Sequence, residues 1–102
     1  MDKALSLLGI AKRANQISYG EVMMEAIRHK KCQVVLIAAD ASERSKKQIT
    51  DKCSFYQIPF FVKYQATEIS QAIGKSNIKS VCVNDGNLSK AIIETLTRNE
   101  VD

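Results

Sequence analysis

Side chains able to do covalent or metal chemistry are few in this sequence, and they are scattered. Three cysteines, Cys32, Cys53 and Cys82, stand far apart without a CxxC pair, and His29 is the only histidine. Neither a Cys/His metal set, a hydrolytic triad nor a two-histidine relay can be assembled from them. Cys53 as a nucleophile needs a base beside it, whereas His29 falls at the end of a different helical pattern; packing is the simpler role. Asp40, Asp51 and Asp85 show no metal-ligand spacing, and Asp40 and Asp85 each precede a helical pattern where an N-cap carboxylate is expected. Glycines at positions 9, 20, 74 and 86 stand alone, so neither GxxxxGK[ST] nor GxGxxG is present to cradle a phosphate. No catalytic residue, metal or cofactor is expected. An enzyme ranks last among the readings, since it needs Asp40, Lys46 and Cys53 to converge in one pocket.

The remaining chemistry is charge. Fifteen Lys+Arg against eleven Asp+Glu leave +4 at pH 7, a mild tilt toward a polyanionic partner. The cations gather at helix ends: Lys12 and Arg13 close the first helix, Arg28, Lys30 and Lys31 the second, and Arg44, Lys46 and Lys47 open the third. Taken alone, such clusters are explained better by solvation than by RNA, and only their neighbours, Gly20, Asp40 and the loop from Tyr64 to Thr67, shift the balance toward RNA.

Those neighbours depend on the elements. Ala4, Leu7, Leu8, Ala11 and Ala14 recur at helical spacing over residues 4–14, and residues 16–19 read as a brief strand. Gly20 opens a second helix lined by Met23, Met24 and Ile27. The unbroken apolar run at 34–39 suits a central strand covered on both faces. Asp40 and Ser42 offer N-cap chemistry for a third helix carrying Ile49, Cys53 and Tyr56. Pro59 precedes a strand at 60–62, Thr67 is expected to cap a short helix with Ile69, Ala72 and Ile73, and Gly74 suits its left-handed end. A strand at 80–83, a turn at 84–86 and a final helix complete the order α-β-α-β-α-β-α-β-α. That alternation predicts an α/β fold, a three-layer α/β/α sandwich with a four-stranded mixed sheet.

At 102 residues the chain suits a single domain spanning 1–102, without linker or repeat. No apolar run approaches the ~18 residues that span a bilayer, and the first residues lack signal-peptide character, so a cytoplasmic location without membrane contact is expected. No large apolar stripe stands out, which makes a monomer the default. Should the start of the second helix, the end of the second strand and the loop before the fourth helix lie side by side, they would form one concave edge offering backbone N–H groups to phosphates and base edges.

Several stretches, taken in order, resemble a known family: Leu7-Leu8-Gly9-Ile10-Ala11-Lys12-Arg13-Ala14, Tyr19-Gly20-Glu21, the run from Val34 through Asp40 to Ser42, Thr50-Asp51-Lys52-Cys53, Ile58-Pro59 and residues 69–75. They look like the bacterial, YlxQ-type members of the kink-turn RNA-binding ribosomal proteins, and the likeness covers nearly the whole chain. The resemblance implies a non-catalytic protein that recognises a kink-turn, a sharply bent RNA helix with a bulge beside sheared G·A pairs, in ribosomal RNA or a structured mRNA leader. In that family a glycine and the polar residues after it meet guanine edges, and an apolar loop before helix four covers the flipped-out nucleotide.

Carried onto this chain, the glycine is Gly20. Glu21 and Val22 follow where an Asn or Asp and a Glu or Leu are usual, and Glu25 stands at a basic position. Glu21 accepts from a guanine amino group but cannot donate to O6 or N7, and Glu25 repels a phosphate. Tyr64, Gln65, Ala66, Thr67 and Ile69 form the covering loop, able to pack on an unstacked base. Asp40, Arg13 and Lys46 complete the expected RNA-binding set. The alternative is a protein-interaction or ribosome-assembly module that has kept the sandwich without tight kink-turn binding.

Overall fold

The computed structural model describes residues 2–101, with side chains through Arg98. Asp2 starts the first helix, α1 (Lys3–Arg13), by accepting from the Ala4 amide at 2.8 Å. Ala4, Leu5, Leu8 and Ala11 form its buried stripe. Full burial of a side chain such as Leu8 is worth about 1.5–3 kcal/mol. Gly9 lets α1 approach the fourth helix closely, because a Cβ there would lie 3.1 Å from the Ala72 carbonyl oxygen.

After β1 (Ile17–Ser18) come α2 (Gly20–Arg28), β2 (Val34–Ile37), α3 (Glu43–Phe55), β3 (Phe60–Val62), α4 (Ala66–Ala72), β4 (Ser80–Val83) and α5 (Gly86–Val101). All four β2 residues are buried, as a strand covered on both faces requires. The sheet order is β1-β4-β2-β3, with β2 and β3 parallel and β4 antiparallel to both β1 and β2. Helix α1 packs against α5 and α4, and α2 packs against α3. The result is the α/β/α sandwich with a four-stranded mixed sheet that the alternation predicts.

Two of the expected caps differ. Ser42 starts α3 by accepting from the Ser45 amide at 3.1 Å, while Asp40 is turned away and accepts from the Ala66 amide at 2.8 Å, across to the next loop. Thr67 lies inside α4 rather than capping it. Gln65 holds the cap position, and its own amide donates to Glu68 Oε1 at 2.9 Å. Gly74 does take the left-handed conformation, at φ +67°.

Strand directions decide what lies where. Ile37 pairs with Ser80 and Val62, so the end of β2, the end of β3 and the start of β4 share one edge of the sheet. Ser18 pairs with Cys82 and Ile17 with Val83, so β1 also runs toward that edge and delivers Gly20 there. No helix among the described residues is long and apolar enough to cross a membrane.

Candidate nucleic-acid interface

Four segments meet at this edge: residues 19–22, the 38–42 turn, the 63–66 loop and the 74–80 segment. Backbone hydrogen bonds lace the last three together. The Ala39 amide donates to the Tyr64 carbonyl and the Ala38 amide to the Lys79 carbonyl, each at 2.8 Å. Lys46 Nζ donates to the Ala39 carbonyl at 3.0 Å and lies 3.2 Å from Glu43 Oε1. With its side chain only 20% exposed, Lys46 is a strut under the turn more than a free cation.

Gly20 takes φ +66°, and a Cβ there would meet nothing within 4 Å. Tyr19, the residue before the helix, makes no side-chain capping bond. The first N–H groups of α2 therefore lack a capping side chain and point outward, an arrangement suited to an anion or a polar base edge. Gly20, Glu21 and Met24 border a shallow cleft of about 250 Å³, closed on the far side by Ser45 and Gln48 of α3 and by Ser80. Val22 is 67% exposed beside it. Glu25 lies one turn further on, 3.2 Å from Arg28 Nη1 and 3.5 Å from His29 Nε2, so its charge is partly offset locally.

At the other end of the edge, Tyr64 sits at φ +69° with its hydroxyl donating to Asp2 Oδ1 at 2.7 Å. The Lys63 ammonium lies 5.7 Å from the ring centre, within cation–π range. Gln65 and Thr67 are exposed and Ala66 is half-buried. Ile69 departs from expectation. It is fully buried in the core and cannot touch a base, because α4 turns its Ile69 and Ile73 face inward.

Burial of Asp2 works against its charge, but the Tyr64 hydroxyl and the Ala4 and Leu5 amides outweigh it and hold the carboxyl below its usual 3.8. Burial and the Asp2 carboxylate push the Tyr64 phenol upward. A depressed carboxyl adds stability that is present above 3.8 and is lost as pH falls through the lower folded value. The stability difference between wild type and Asp2→Asn, measured by urea unfolding, is thus expected to be level above about pH 5 and to shrink at more acid pH. A difference that stays constant throughout would show that the Asp2 charge adds nothing.

Arg13 is not part of this edge. It ends α1, and β1 then enters the sheet level with the end of β4, at the opposite edge from Gly20. The 74–80 segment joins the edge without a signal in the sequence. Lys75 and Asn77 border a cleft of about 370 Å³ with Ala66, Thr67 and Gln71, next to Asp40's tether to Ala66. Only the antiparallel placement of β4 brings this segment to the edge. Cys53 is buried, and burial raises its thiol to about 11, which fits packing.

Residues 2–93 match the Ribosomal protein L7Ae/L30e/S12e/Gadd45 family. The chain belongs to this family. It is 45% identical over 74 residues to the RNA-binding protein YlxQ of Enterococcus faecium, a match covering 72% of each chain. It is 33% identical over 91 residues to the RNA-binding protein YlxQ of Bacillus subtilis, covering 88% of this chain and 91% of that one. A solved structure of a protein of unknown function from Bacillus halodurans C superposes with a TM-score of 0.90 at 34% identity, over 95% of this chain and 99% of the other. The 15.5kD RNA binding protein of Giardia lamblia shares this fold, with a TM-score of 0.77 at 17% identity over 92% of this chain and 84% of that one. This membership agrees with the bacterial, YlxQ-type resemblance carried by the sequence motifs.

Proposed function

We propose that this chain is a non-catalytic RNA-binding protein that recognises a kink-turn or a similarly bent RNA, in ribosomal RNA or a structured mRNA leader, and holds it in the bent form. The observation that carries this reading is the outward-facing start of α2: Gly20 at positive φ, open space above it, and no side chain capping the helix. The laced loops beside it support the reading, since a bent RNA needs a rigid surface that does not itself reorganise. The names of the YlxQ relatives also support RNA as the partner. In this reading the protein acts as one unit over residues 1–102, as a monomer in the cytoplasm, with the ribosome as a site of action.

One observation favours the second reading, a protein-interaction or ribosome-assembly module. Glu21 and Glu25 place two carboxylates on the first turns of α2, where an RNA ligand brings phosphates. A band-shift comparison separates the two. The protein is expected to retain a kink-turn duplex at least tenfold more tightly than the same duplex with its bulge removed, a difference of about 1.4 kcal/mol or more. Equal, weak retention of both would assign the chain to the second reading.

A further inference from the structure

At the opposite edge of the molecule α2 and α3 end side by side. Phe55, at the end of α3, is 78% exposed. The buried residues of α3 are Ile49 and Cys53, so Phe55 falls off the core face and contributes little to the fold. Its ring stands edge-on to Tyr56, 4.9 Å between centres and 82° between planes, and Tyr56 is itself packed against the core. An exposed phenyl ring is thus held in place by a partly buried neighbour.

Tyr56 also walls a cleft of about 220 Å³, with Lys30, Gln33, Gln57 and Pro59 as other walls. That is below the roughly 300–1,000 Å³ of small-molecule pockets, so the cleft has room for one small planar group and not for a whole ligand. Lys30 borders it, Lys31 follows in the chain, and Lys52 lies three and four residues before Phe55 and Tyr56, on the same side of α3. Among the described residues none of these three lysines forms an ion pair. Lysines near helix C-termini offset the helix dipole, which accounts for the charges by themselves. It does not account for the exposed ring or for the cleft beside it.

We propose that this end of the molecule is a second RNA contact, taking an unpaired nucleotide whose base stacks on Phe55 and whose flanking phosphates meet Lys30, Lys31 and Lys52. Stacking on an aromatic ring with cations along the backbone is the general mode of single-strand binding. A partner helix would need an extended apolar groove, and here a single exposed ring adjoins Tyr56, whose cleft Lys30 borders, so charge complementarity favours a strand of phosphates. This surface is separate from the Gly20 edge and does not depend on kink-turn recognition.

The test is fluorescence anisotropy of the full chain with a labelled oligouridine of about ten nucleotides, a length spanned by single-strand sites. Wild type is expected to bind, Phe55→Ala to weaken binding roughly tenfold, and Phe55→Tyr to bind like wild type. Lys30→Ala with Lys31→Ala is expected to lower the salt slope by about 0.7 for each lysine removed. Gly20→Val is expected to bind oligouridine like wild type, which keeps this outcome distinct from that at the kink-turn edge. Phe55→Ala binding as tightly as wild type, or no binding by wild type, would overturn the proposal. Retention of a polyglutamate peptide in place of oligouridine, with a loss in Phe55→Ala, would overturn it in favour of an acidic protein partner.

Discussion

Gly20→Val is expected to weaken binding of a kink-turn duplex by about 10- to 100-fold while lowering stability by only about 1–2 kcal/mol. The two effects have different origins. Gly20 stands at φ +66°, where a β-branched side chain is strained, and a Cβ there meets nothing within 4 Å, so backbone strain is the main cost in the free protein. The same open space is where the RNA must come close to reach the first amides of α2. Each charge-assisted hydrogen bond lost there is worth about 1.5–3 kcal/mol. Urea midpoint and RNA affinity measured on one preparation separate the two. An affinity equal to wild type, with stability reduced, would make Gly20 a turn residue and no more.

Ile69→Ala is expected to do the reverse, lowering stability by about 2–5 kcal/mol and leaving the affinity of the folded fraction unchanged. Ile69 is fully buried beside Ile73, and removing its side chain leaves a cavity under α4. A loss of affinity with little loss of stability would restore Ile69 to the RNA surface and contradict its placement in the core.

Ile69 also shows why parts of the interface were not legible in the sequence. Periodicity placed the helices and short apolar runs the strands, and β4 falls at Ser80–Val83 as its run indicates. In a helix of seven residues, however, Ile69, Ala72 and Ile73 fit a core face and a loop-side surface equally well until the facing element is known. Asp40 is similar. Its carboxylate is three residues ahead of α3 in sequence, yet its partner is Ala66, 26 positions away, a pairing created by the parallel placement of β2 and β3. The strand order explains the remaining differences. With β4 inserted between β1 and β2, Gly20 and the 74–80 segment come to one edge and Arg13 goes to the other. Local chemistry was readable at Gly20, at Ser42 and at Gly74, because backbone conformation there depends on the residue itself.

The central claim is that the Gly20 edge holds an RNA in its bent form, and bending can be measured directly. A kink-turn duplex carrying a fluorophore at each end, kept extended in buffer without divalent cations, reports the end-to-end distance through energy transfer. Addition of the protein is expected to raise the transfer to the level of the folded kink-turn, with no change on a bulge-free duplex and little change with Gly20→Val at the same concentration. Wild-type protein that binds the kink-turn duplex and leaves its end-to-end distance unchanged would contradict the account.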